Sequence, residues 1–144
     1  MKLSVQGRTR HFRTVTYDAT TNQVRLIEQR LLAHQFKIIG TKDFRETARA
    51  ITDMFVRGAG AIGATAAYGL AQGAAGFRGS DMGRFKRHTQ RVYEVLKAAR
   101  PSAADPVNAM NQDMGIMCKG ETVGEKQALA LAAAEEFANE DVAH

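Results

Sequence analysis

Apolar and polar residues alternate from Phe12 to Asp18, where Phe12, Val15 and Tyr17 sit among threonine and arginine in the period-two pattern of a half-buried strand. Ala19-Thr20-Thr21-Asn22 has the composition of a turn, and Gln23 to Gln29 reads as a second strand with Val24, Leu26 and Glu28 on one face. Phe36 to Ile39 predicts a third strand, closed by Gly40. Beyond Gly40 the period becomes helical. Phe44, Ala48, Ile51 and Phe55 form the buried stripe of a helix from Asp43 to Phe55, with Asp43 and Glu46 as a capping box.

Ala61 to Ala75 is almost wholly alanine, glycine and small apolar residues. Glycines at 63, 69 and 73 each cost about 1 kcal/mol against alanine in a helix interior. That cost is tolerable where another backbone approaches closely, so this stretch predicts the central helix. Gly76 to Gly79 breaks the chain, and Asp81 opens a helix to Ala99 with Met82, Phe85, Val92, Val95 and Leu96 on its apolar side. Asp105 and Pro106 supply an N-cap and a first-turn proline for the next helix. Its stripe of Val107, Met110, Met114, Met117 and Cys118 ends at Gly120; the methionines read as core filling and Cys118 as a buried structural thiol. Thr122 and Glu125 form another capping box, opening a last helix through Leu129, Ala133 and Phe137.

The expected class is α+β: a small three-stranded antiparallel sheet followed by a bundle of about five helices. Residues 1–11 form a basic N-terminal extension, 12–40 the sheet and 41–144 the helical bundle, with 12–144 together one domain, as 144 residues suit. A single cysteine excludes an intrachain disulfide, and scattered histidines give no metal-ligand spacing, so neither metal nor cofactor is implied. Met1 to Phe12 lacks the apolar core of a signal peptide, and Ala61–Ala75 is too short to span a bilayer, so a soluble, cytoplasmic protein with no membrane partner is expected.

The formal charge of +5 raises the question of nucleic acid. The basic residues are dispersed, however, apart from Arg8 to Arg13 and Arg84 to His88, and the latter run lies on a solvated helix face. No nucleic-acid partner is expected; a phosphorylated small molecule accounts for the useful charge more economically. The place to hold one is Val56-Arg57-Gly58-Ala59-Gly60-Ala61-Ile62-Gly63, a glycine-rich corner before the small-residue helix. A helix start leaves unpaired N–H donors and a positive dipole end, Arg57 adds a full charge, and glycine admits a ligand to the backbone. The same residues also suit a plain turn that lets two helices pack. Likewise Arg100, before Pro101, either complements its own helix dipole or closes an anion site.

That corner, with Ala66-Ala67-Tyr68-Gly69 after it, resembles the signature of the methylthioribose-1-phosphate isomerases, aldose–ketose isomerases of methionine salvage related to the regulatory subunits of translation initiation factor 2B. Thr14 to Asp18, Val24 to Gln29 and Leu31-Leu32 resemble the start of that family, and Ala99-Arg100-Pro101-Ser102-Ala103 resembles its Arg-Pro-Thr-Ala motif. The resemblance runs from about Phe12 to His144. It implies that Arg57, Gly58, Ala59 and Arg100 bind the sugar phosphate. It also implies that the catalytic cysteine and aspartate belong to a Rossmann-like C-terminal domain absent from these residues, so that no catalytic residue lies in this chain and the chain alone is inactive. Cys118 is not in the family's cysteine motif, and Asp18, Asp53, Asp105 and Asp113 read as turn, helix-face and cap residues. Gly60 replaces the family's usual proline, which loosens the helix start but restores an N–H donor.

The implied partners are the phosphorylated sugar and the C-terminal domain or its separate polypeptide. Without that half, an apolar face around Ala61–Ala75 and the methionine-bearing helix is expected to be exposed, and a homodimer is one way to cover it. Two other readings share the pattern: a non-catalytic regulatory module like the initiation-factor subunits, and part of a related enzyme such as ribose-1,5-bisphosphate isomerase.

Overall fold

The computed structural model describes residues 15–28, 37–52, 59–99 and 104–143. Strands β1 (Val15–Asp18), β2 (Gln23–Glu28) and β3 (Lys37–Thr41) form an antiparallel sheet in the order β1-β2-β3. They are followed by α1 (Phe44–Thr52), α2 (Ala59–Ala75), α3 (Met82–Ala99), α4 (Ala104–Met117) and α5 (Val123–Ala143). The α+β class and the sequence of elements are those the hydropathy pattern predicts. Phe12, Phe36 and Phe55, assigned above to strands and a helix stripe, lie outside the described residues, as does the basic extension.

The β1–β2 hairpin is shaped by its turn chemistry. The Asp18 carboxylate accepts the Thr20 N–H at 2.9 Å and pairs with Arg25 at 2.8 Å. Asn22 takes the left-handed conformation, φ 54°, that asparagine tolerates better than most side chains. Pairing of Val15 with Leu26 and of Tyr17 with Val24 then puts Val15, Val24 and Leu26 on the covered face. The third strand does not close at Gly40. It continues to Thr41, with Gly40 opposite Arg25 and Thr41 opposite Val24. The Gln23 side chain lies beside Gly40: a β-carbon there would stand 3.1 Å from Gln23 Oε1, a contact that a small shift of that flexible side chain relieves.

Three helix starts follow the capping expectation; that of α4 does not, since the helix begins at Ala104 and Asp105, expected as its N-cap, lies inside it. Asp43 accepts the Glu46 N–H at 3.0 Å, Asp81 the Arg84 N–H at 3.1 Å, and Thr122 the Glu125 N–H at 3.1 Å. The glutamates of the two expected boxes reach one residue further back than a capping box does, Glu46 to the Lys42 N–H and Glu125 to the Glu121 N–H, both at 2.8 Å. Helix α4 begins at Ala104, so Pro106 falls within its first turn.

Every position of α2 from 62 to 74 is buried, and α1, α3, α4, α5, β1 and β2 all pack on it. Small side chains are what allow so many elements around one helix. The expected exposed apolar face at α2 is therefore corrected: this chain's own helices enclose it. The closest approach is at Gly73, where a β-carbon would meet both Val92 γ-carbons at 2.6 Å. Valine is stiff at χ1 and cannot swing aside. Gly73→Ala is expected to cost about 3 kcal/mol in overpacking against a helix-propensity gain of about 1, a net loss of about 2. Urea unfolding of Gly73→Ala, Val92→Ala and the double variant checks this. The double variant should recover part of the loss, and simple additivity would mean that the two residues do not clash.

The structure fixes which sides of α5 and α4 face inward, and on α4 it corrects the expected stripe. On α5 the buried positions are Val123, Lys126, Ala130, Ala134 and Ala138, while Leu129, Ala133 and Phe137 are half-buried. Alanines turn inward because α2 leaves no room for larger groups. On α4 the buried face is Pro106, Ala109, Met110, Asp113 and Met117, and Cys118 is exposed just past the helix end, so its thiol is not a core group.

A buried polar network docks the sheet on the helices. Gln72 of α2 donates to the carbonyls of Asn22 and Thr41, both at 3.0 Å, and accepts from the Thr47 hydroxyl at 2.6 Å. Thr41 and Thr47 share a hydroxyl–hydroxyl bond at 2.6 Å, and Asn22 donates back to the Gln72 carbonyl at 3.2 Å. Beside it Tyr17 stacks on Tyr68 with centroids 5.9 Å apart, and Tyr17 also donates to the Asn22 side chain. Burial, then the neighbouring Asp18 charge, raises the Tyr17 pKa.

Candidate functional site

Of the four residues assigned to phosphate binding, Arg57, Gly58 and Arg100 lie outside the described residues, and Ala59 is the first residue of α2. The helix thus starts two residues earlier than its composition suggests. Gly60 falls within the first turn, among the backbone N–H groups that an α-helix leaves without internal partners. With glycine rather than proline there, that donor is present.

The elements flanking the assigned residues meet at one end of the bundle. Along α3, His88 and Val92 lie against Gly73, and Leu96 lies against Gly69. Each step towards the C-terminus of α3 is therefore a step towards the N-terminus of α2. Helix α1 is tied to the end of α3 by the Thr52 hydroxyl, which donates to the Ala99 carbonyl at 3.2 Å. At 1.5 Å per residue, Ala59 lies about 15 Å along α2 from Gly69, while Ala99 lies about 5 Å beyond Leu96 in the same direction. An axial gap of about 10 Å separates the end of α3 from the start of α2.

An open groove between α1 and α3 runs up to this end, lined by Arg45, Arg49, Thr52, Val95 and Ala99. Arg45 and Arg49 are exposed one turn apart, and Arg45 lies 4.7 Å from the centre of the Phe44 ring. Glu46, between them in sequence, is turned back to the Lys42 N–H. Two cations side by side repel each other mildly and favour an anion nearby. The other basic run behaves as expected, with Arg84, Lys86 and Arg87 exposed; His88 instead turns inward, its Nε2 2.8 Å from the Gly73 carbonyl.

Sequence reasoning missed Asp113. Its carboxylate is 2% exposed, neither oxygen has a hydrogen-bond partner, and burial pushes its pKa up to about 8. The signal was available in the spacing: 106, 109, 110, 113 and 117 share one helix face, and four of those positions are apolar. Among the described residues no group of three or more His, Cys, Asp or Glu is placed to hold a metal, and no helix is long and apolar enough to cross a membrane.

The sequence model of the initiation factor 2 subunit family matches residues 55–144. Methylthioribose-1-phosphate isomerase 1 of Pseudothermotoga lettingae is 41% identical over 102 residues, which are 71% of this chain and 30% of that protein. Among solved structures, 5-methylthioribose 1-phosphate isomerase from Pyrococcus horikoshii superposes with a TM-score of 0.81 at 35% identity, over 89% of this chain and 36% of its own. Subunit delta of the translation initiation factor eIF-2B from A. fulgidus superposes with a TM-score of 0.82 at 33% identity, over 90% of this chain and 37% of its own. The chain spans about a third of the length of the curated relatives it matches.

Proposed function

Since this chain belongs to the initiation factor 2 subunit family, we propose that it is the sugar-phosphate-binding part of a methylthioribose-1-phosphate isomerase. Arg57, the Gly58–Ala59 backbone and Arg100 hold the phosphate. The observation that carries the reading is the sequence identity to an isomerase of that name. The helix geometry supports it: the start of α2 offers N–H donors and a positive dipole end. The end of α3, at Ala99, lies an axial distance of about 10 Å from that start. Isomerisation moves protons between C1 and C2 and needs a general acid and base near those carbons. The reading assigns these to residues outside the 144, so this chain binds without turnover, and its partner in catalysis is the polypeptide that carries them.

Titration with methylthioribose 1-phosphate, followed by amide NMR and by an activity assay, tests the proposal. The amides of Ala59 to Ile62 should shift first, with a Kd of about millimolar, near −4 kcal/mol, because the site is half-open to water. Arg57→Ala and Arg100→Ala should each abolish the localised response, and product formation should stay at background. A uniform shift spread over all basic residues would overturn it. Such a result would leave the regulatory-module reading, which the superposition on the delta subunit favours as strongly as the fold favours the enzyme.

A further inference from the structure

Asp113 lines a cavity of about 30 Å³ between α4 and α5, with Gln112 and Glu136 as its other polar groups and Ile116 and Phe137 among its apolar walls. A carboxylate that is 2% exposed and makes no hydrogen bond is relieved by a proton, by water or by a counter-charge. No counter-charge comes from the described residues. Lys126, the buried cation of α5, donates to the Met117 carbonyl at 3.3 Å, and the ion pairs seen join Arg25 to Asp18 and Arg84 to Asp81.

We propose that this cavity binds a primary ammonium group on an alkyl stem, the ammonium between the Asp113 and Glu136 carboxylates and the stem against Ile116 and Phe137. Two features select that chemistry. The walls pair a buried, unpartnered carboxyl that a cation can hold ionised with aliphatic surface, as an alkylammonium requires, and an aromatic ring adds attraction for a cation. A divalent cation such as calcium needs six or more oxygen ligands, and two carboxylates with one amide do not supply them. The site is separate from the start of α2 and does not depend on what binds there.

The test is a titration of the full chain with n-butylammonium chloride, followed by amide NMR and by thermal unfolding. It is run at about pH 9, where the Asp113 carboxyl is ionised and an alkylammonium keeps its charge. Saturable shifts confined to residues 109–116 and 133–137 and a raised Tm are expected. Sodium or tetramethylammonium chloride at equal concentration should produce neither. Asp113→Asn should weaken binding about tenfold or more and Glu136→Gln less. Sedimentation separates the sources of the ammonium. Self-association that Asp113→Asn and butylammonium both abolish identifies a lysine of a second copy; a monomer that binds the free amine identifies a small molecule. Shifts that are non-saturable, or identical in a folded Asp113→Asn, would show that the cavity holds only water and would overturn the proposal.

Discussion

Replacing Asp113 with asparagine is expected to stabilise the chain, by an amount that grows with pH. Burial raises the folded-state pKa from the ordinary 3.8 to about 8. A carboxyl raised in this way contributes stability that is fully present below about pH 4. It is lost as pH climbs to about 8, because the unfolded chain releases the proton first. At 1.4 kcal/mol per pH unit the loss at pH 7 is at most about 4 kcal/mol, and partial access of water to the cavity lowers it to about 2–3. Asparagine keeps the shape and the unpartnered polarity but cannot ionise, so the difference between the two proteins isolates the titration. Urea unfolding at pH 5 and pH 7 should show the gap widening by about 2 kcal/mol. A gap independent of pH would mean that the carboxyl is solvated or paired. Butylammonium should narrow the gap at high pH if the cavity takes that cation.

Asp113 also marks where reading the sequence reached its limit. The stripe Val107, Met110, Met114, Met117 was legible as the apolar side of α4, but a helix face is wide, and Asp113 lies on the buried half of it. It read as one of the turn, helix-face or cap aspartates, since an unpaired buried carboxylate is rare. On α5 large side chains are not the ones that face in. Leucine and phenylalanine have the stronger preference for burial, yet the middle of α5 turns Ala130, Ala134 and Ala138 inward against a helix of glycines and alanines. Periodicity locates a helix; the size of its partner decides which side faces in. Cys118 left its stripe because α4 ends at Met117 and the chain turns there.

What was most legible was local. The turn at Ala19–Asn22, the caps at Asp43, Asp81 and Thr122, and the glycines that make α2 central are all specified within a few residues. The candidate site is legible differently. Arg57 and Arg100 are 43 positions apart in sequence, and nothing in composition or spacing joins them. Only the resemblance paired them. The pairing gains physical sense from the Thr52–Ala99 hydrogen bond and the antiparallel course of α3 along α2, contacts between distant segments that no local pattern encodes.

Gln72→Leu is expected to undock the sheet. Gln72 is 1% exposed at the centre of a network that draws in the β1–β2 turn through Asn22, the end of β3 through Thr41 and α1 through Thr47. Leucine has nearly the same volume, so the core stays filled and the effect is that of the lost polar bonds. Two carbonyls and one hydroxyl lose a partner at about 1–3 kcal/mol each, less where the half-buried Asn22 end reaches water. Against a gain of about 1–2 kcal/mol from burying leucine, the net loss is about 3. Gln72→Glu should be worse, since a carboxylate would face the Asn22 and Thr41 carbonyl oxygens with no proton to donate. Hydrogen exchange distinguishes this loss from a general one. Amides of β1, β2 and β3 should lose protection well before those of α3 and α4, whereas Gly73→Ala, which acts between α2 and α3, should weaken the helices first. Equal loss across sheet and helices in Gln72→Leu would mean that the sheet is held by its apolar face, Val15, Val24 and Leu26, and that the buried polar network adds little.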